Sequence, residues 1–272
     1  MTIRLKNRLT FVLILISIAL LLSAAVASGL GLYFGKIRFP NQIPALRFQE
    51  FFIFRYSRIC IFVSVFSLLV YTLIFLITIG VQFEKSQSSE IIFMMIFFAG
   101  CFTEAFRLLF PLANLWETGQ TLAVIATRFI LAGRIASCMS LFFMASYSRA
   151  EYRQFVERNI MIILVVALIF AVAYPVNTNV ILPEGRLAWG LSYLVTGTKA
   201  GLLSLAVLSQ ALESLKEKTS FRLTVGIFLI AVGYSLLHSA YNFFMLALGI
   251  ASLVLGTIIY VKKLHRQYLW ND

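Results

Sequence analysis

Apolar runs of about 18 or more residues recur along the chain, and they decide its class before anything else is read. Each run is long enough to cross a hydrocarbon core of about 30 Å as an α-helix rising about 1.5 Å per residue. Inside a bilayer every backbone N–H and C=O must find its partner within the protein, which leaves helices or a closed barrel. No alternation of apolar and polar positions stands out of the kind that barrel strands need. The expectation is therefore an all-α, polytopic membrane helix bundle. Composition agrees: 61% of residues are hydrophobic and only 12% are charged, about half the charged share of a soluble domain. No loop is long enough for a separate domain, so residues 1–272 are expected to form a single integral membrane domain.

Eight spans are expected, at roughly 10–34, 57–81, 91–112, 121–146, 160–174, 187–211, 222–238 and 242–261. The number falls to seven if residues 221–261 do not fold back on themselves at Ser239 to Asn242. The basic start, Arg4, Lys6 and Arg8, followed by Ala25-Val26-Ala27, resembles a cleaved signal. The apolar run continues through Gly35, however, so the segment is read as the first transmembrane helix. Tyr174 to Arg186 reads as an outer loop bounded by Pro175 and Pro183. Gly226 with Gly233, and Gly249 with Gly256, are expected at close helix contacts.

The formal net charge is +12. In a membrane protein that excess holds topology, because Lys and Arg accumulate in cytoplasmic loops, and no nucleic-acid partner is expected. With the N-terminus inside, thirteen of the 23 Lys and Arg fall on the inner side and six on the outer. Both termini are thus expected in the cytoplasm, with the chain multi-pass in the inner (cytoplasmic) membrane. Five of the six outer cations, Lys36, Arg38, Arg47, Arg55 and Arg58, lie in one connection, residues 35–58. Pro40 and Pro44 interrupt helix formation there, and phenylalanines mix with Arg and Glu beyond them. A basic, aromatic-rich stretch suits a short helix at the interface, anchored to anionic membrane lipids. The alternative reading is a lid over an outer cavity.

The remaining four cations, Arg107, Arg128, Arg134 and Lys199, sit inside the spans with one acid, Glu104. A charge at bilayer depth is costly, so such residues face a bundle interior or a wet cavity and find partners. Counting from the span ends, Glu104 lies roughly 21 Å from the inner boundary and Arg128 roughly 10 Å from the outer one, near the same level. An ion pair of Glu104 with Arg128 or Arg107 is expected, with Arg134 deeper and off that face. Gly133 beside it allows close helix approach. Lys199 falls near mid-membrane among Thr196, Gly197, Thr198 and Gly201. His238, Tyr241 and Asn242 sit at the outer end of the last hairpin and extend the set.

The candidate ligand-binding residues are accordingly Glu104, Arg107, Arg128, Lys199, His238, Tyr241 and Asn242, with Lys36, Arg38, Arg47, Arg55 and Arg58 at the lipid interface. Buried Arg–Glu pairs also act simply as interhelical ties, worth about 1–2 kcal/mol at most. Cys60, Cys101 and Cys138 have no metal or disulfide spacing and read as small buried hydrophobes. There is no Walker, HExxH or GxSxG motif, so no catalytic residue, metal or cofactor is assigned and a non-enzymatic role is expected. One carboxylate does not neutralise four cations. The expected function is sensor- or receptor-like binding of a small anionic or amphiphilic ligand or lipid in a cationic intramembrane cavity. The alternatives are a secondary transporter with a protonatable Glu104 or Lys199, a lipid-modifying enzyme, or a subunit that meets a partner membrane or signalling protein.

Overall fold

Each apolar run becomes a helix because only intrahelical bonding satisfies a backbone surrounded by lipid. The computed structural model describes residues 2–37, 54–85, 88–115, 119–146, 155–182, 184–216 and 221–270. Among these, the helices are α1 (Ile3–Tyr33), α2 (Arg58–Gln82), α3 (Ser89–Ala113), α4 (Gln120–Ser146), α5 (Val156–Ala173), α6 (Ser192–Lys216), α7 (Arg222–His238) and α8 (Phe243–Trp270). Seven are long and apolar enough to cross a membrane, and α7, at 17 residues, is the short one. The chain is a multi-pass helical membrane protein. The expected fold-back at Ser239 to Asn242 divides α7 from α8 as the sequence indicated.

Two sets of contacts define the poles of the bundle. Near the start of α1, Lys6 donates to the Phe83 carbonyl just beyond α2. The Phe83 ring in turn lies edge-on to His265 of α8, with centroids 5.4 Å apart. The start of α1 and the far part of α8 therefore lie at one pole, the terminal pole, on either side of Phe83. At the opposite pole the Ser57 N–H donates to the Tyr241 carbonyl at 2.9 Å, joining the start of α2 to the α7–α8 turn.

α3 and α4 form the centre and are buried around most of their surface, with Phe93, Phe97 and Phe98 of α3 in the core. α1, α5 and α6 bury only a stripe. On α1 that stripe is Lys6, Thr10, Ser17, Ala24 and Ser28, while Phe11, Leu15, Leu22 and Leu30 face outward. Small residues inside and large apolar ones outside is the pattern lipid imposes, since tails compete with any hydrophobic partner and only close packing favours association. The same rule builds the α7–α8 pair. A Cβ on Gly256 would lie 2.7 Å from the Ile230 nitrogen and 2.8 Å from the Gly226 carbonyl oxygen, so the two backbones touch there. Tyr71 of α2 and Thr257 of α8 add a buried hydroxyl pair at 2.6 Å.

One expected span needs correction. The sequence predicts a span over 187–211, but α6 begins at Ser192 and runs to Lys216. The segment before it is a two-stranded antiparallel hairpin, β1 (Val176–Leu182) with β2 (Arg186–Trp189). Val176 faces Trp189 and Leu182 faces Arg186, with a bulge between Asn177 and Ile181. Gly185 turns the chain at φ +80, in the left-handed region that suits glycine. All four residues of β2 are buried, and its apolar Leu187, Ala188 and Trp189 read like the start of a span while the hairpin caps the bundle. The pole it caps is the hairpin pole.

Candidate functional site

Midway through α3, residues Thr103–Leu108 tighten into a 3₁₀ turn, in which positions three apart eclipse. Glu104 and Arg107 therefore stand one above the other, with Arg107 Nη1 3.3 Å from Glu104 Oε2. The neighbouring α4 is held against this turn by two glycines. A Cβ on Gly100 would lie 2.6 Å from the Gly133 carbonyl oxygen, and one on Gly133 would lie 2.7 Å from the Gly100 carbonyl oxygen. The helices thus cross backbone to backbone. One turn further along, Phe106 stacks on Phe129 with centroids 5.3 Å apart.

That crossing sets which arginine meets Glu104. Arg134, next to Gly133, donates from Nε to Glu104 Oε1 at 2.6 Å and from Nη2 to Oε2 at 2.9 Å. Such a two-point guanidinium–carboxylate pair is among the strongest hydrogen-bonded geometries available. All three residues, Glu104, Arg107 and Arg134, are completely buried. The expected Glu104–Arg128 pair does not form among the described residues. Arg134 lies nearly two turns further along α4 than Arg128, so the α3–α4 register differs by that much from the level inferred by counting depth, and both Glu104 oxygens are already occupied. Arg128 is half-buried, with its Nε lacking a hydrogen-bond partner.

The hairpin completes the site. Arg107 donates from Nε and Nη2 to the Glu184 carbonyl at 3.0 and 2.8 Å. The Glu184 carboxylate pairs with Arg186 and lies 3.7 Å from Arg134 Nη1. Glu104 is therefore not the sole acid facing these cations, as the sequence had suggested. Burial alone would push the Glu184 carboxyl up. The positive charge of Arg186, then of Arg134, Arg107 and Lys199, outweighs it and brings the carboxyl down to about 2.

Trp189 sits at the centre of the cations. The Arg186 guanidinium carbon is 3.4 Å from its ring centroid, Lys199 Nζ 5.6 Å and the Arg134 guanidinium carbon 5.7 Å. All lie within cation–π range. Lys199 donates to His238 Nε2 at 3.0 Å, and His238 Nδ1 lies 2.8 Å from the Tyr234 carbonyl. A carbonyl only accepts, so Nδ1 carries the hydrogen, Nε2 is the acceptor for the ammonium, and the imidazole is neutral. Arg134 Nη2 also donates to the His238 carbonyl at 3.0 Å.

Among the described residues, four cations, Arg107, Arg134, Arg186 and Lys199, thus meet two carboxylates, Glu104 and Glu184, leaving two positive charges uncompensated in this cluster. Three buried donors around Trp189, namely Arg134 Nη1, Arg186 Nε and Trp189 Nε1, have no hydrogen-bond partner among the described residues. Buried donors are normally paired, so a group of unmet ones calls for a physical reason.

Of the residues singled out from sequence, Glu104, Arg107, Lys199 and His238 come together here. Asn242 instead caps α8, its Oδ1 accepting from the Met245 N–H at 2.8 Å. Tyr241 contributes its carbonyl to the Ser57 contact. Lys36 lies 5.7 Å from the Phe34 ring centroid, and Arg55 and Arg58 are exposed. Arg38 and Arg47 lie outside the described residues. Arg134, deeper than the expected ion pair, and Arg186, at the end of the expected outer loop, belong to the site, as do Glu184 and Trp189. The local signal was present in Glu184-Gly185-Arg186, an acid and a base flanking a glycine turn. No protein-family model, no curated protein and no solved structure matches this chain.

Proposed function

We propose that this multi-pass membrane protein is a receptor- or sensor-like binder of a small anion, a carboxylate or a phosphate, held under the hairpin by Arg134, Arg186, Trp189 and Lys199. The observation that carries the reading is the positive charge left uncompensated among the described residues, in a buried cluster where Arg134 Nη1, Arg186 Nε and Trp189 Nε1 are unmet. A buried cation without a counter-charge is expensive, and an anion bound there would relieve that cost and satisfy the free N–H groups together. Glu184 is the internal competitor. Its carboxylate already occupies part of the cationic face, so an arriving anion would contend with it and shift the hairpin. That displacement is the kind of differential contact a binding signal needs.

Native mass spectrometry of gently purified protein tests the reading. Wild type should retain an acidic small molecule, or take up added acetate or inorganic phosphate, while Arg186→Gln and Lys199→Met should not. Equal adducts on all three proteins would remove the proposal. A second reading, anion carriage coupled to protons, rests on the Lys199–His238 pair at 3.0 Å. Proton-driven uptake into liposomes that Lys199→Met abolishes would favour it. Uptake indifferent to both the gradient and the substitution would dismiss it.

A further inference from the structure

We propose a second anion site at the terminal pole, built to hold the phosphate of an anionic membrane phospholipid. A cleft of about 510 Å³ opens there between the start of α7 and the far part of α8. From α8 it is lined by Ile259, Lys262, Lys263 and Arg266, spaced to share one helix face. From α7 come Phe221, Arg222 and Val225. The cleft has a structural origin. A Cβ on Gly226 would lie 3.1 Å from Tyr260 Cβ and 3.2 Å from the Gly256 carbonyl oxygen, so the helices are tightest just above the cleft. α7 begins one turn below that crossing, whereas α8 continues to Trp270, and its basic turn is left facing an open notch.

Three features match a phospholipid. Among the described residues no carboxylate pairs with Lys262, Lys263 or Arg266, so their charge is free to meet an outside anion. The positive end of the α7 helix dipole points into the same space. Beside the cations stand Phe221, 59% exposed, and Val225, 38% exposed, which offer acyl chains an apolar wall next to the headgroup. Basic clefts between transmembrane helices fit lipid phosphates in this manner. The site is remote from the hairpin pole and does not depend on what binds there.

The test is a native mass spectrometry titration of the full chain in neutral detergent, with phosphatidylglycerol against phosphatidylcholine. Wild type should take up one phosphatidylglycerol saturably and prefer it over phosphatidylcholine. Lys262→Gln/Lys263→Gln should weaken uptake by about tenfold or more, while the charge-keeping Lys262→Arg/Lys263→Arg retains it. Arg4→Gln/Arg8→Gln removes equal charge from the same pole outside the cleft and should change little. Arg186→Gln should leave this uptake intact. Equal weakening by the Arg4/Arg8 pair would mean diffuse surface attraction and overturn the site. Unchanged uptake in Lys262→Gln/Lys263→Gln would do the same. Displacement of the lipid by millimolar inorganic phosphate would assign the cleft to a soluble anion and overturn the lipid.

Discussion

At the hairpin pole Arg107 and Arg134 are wholly buried and bonded to Glu104 and Glu184, whereas at the terminal pole Lys262 and Arg266 are exposed along a cleft. The residue types are nearly the same, yet burial changes what they do. In a low-dielectric interior a charge without its partner is severely penalised, so the buried set ties α3, α4 and the hairpin together. Charges in water are screened, contribute little to folding and remain available to an outside partner. The buried site is thus a structural network with two charges to spare among the described residues. The exposed one is a surface that salt and lipid composition control.

The largest break in this contrast should come from Glu104→Gln. It leaves Arg134 and Arg107 buried without their shared carboxylate and should cost about 3–5 kcal/mol of stability, read from equilibrium unfolding in mixed micelles. A loss below about 1 kcal/mol, the range of an exposed pair, would show that the two poles do not differ as argued. Next is Gly133→Ala, whose Cβ meets Thr103 and the Gly100 carbonyl oxygen. Overpacking there should cost about 1–3 kcal/mol, while Gly197→Ala on α6, with nothing within 4 Å, should be nearly neutral by the same measurement.

The pH profile sharpens the comparison further. Glu184 is drawn from an ordinary 4.5 to about 2 in the folded protein. Its contribution is fully present above about 4.5 and lost as pH falls through about 2. Wild-type melting temperature should therefore fall across that window relative to Glu184→Gln. Parallel curves for the two proteins would remove Glu184 from the network. The smallest effect belongs to Lys262→Gln, expected within about 0.5 kcal/mol of wild type even as anionic lipid uptake weakens.

Much of the architecture was legible in the sequence. The apolar runs placed each helix, although the start of α1 and the far end of α8 extend about two turns or more beyond the expected spans, and the break at Ser239 to Asn242 and the paired glycines of α7 and α8 were readable because each is a local or same-face property. Glu104 and Arg107 were also readable as partners, since three residues on one helix fix their relation. Arg134 was not. Choosing between it and Arg128 depends on the α3–α4 register, and a slip of nearly two turns exchanges one arginine for the other. That slip was set by Gly100 seating on Gly133, a contact between segments that neither segment reveals alone. Glu184 and Trp189 were hidden for a related reason: a short buried strand is as apolar as a helix, so β2 merged into the span that follows it.

Lipid as solvent acts on each segment separately, and so the sequence by itself determined a multi-pass helical protein with a surplus of positive charge at depth. Which cation meets which carboxylate, and where donors are left unmet, was decided only by the tertiary structure. Those outcomes rest on interhelical register and on a hairpin folded back over the bundle, where a few ångströms separate a bonded charge from an unpaired one.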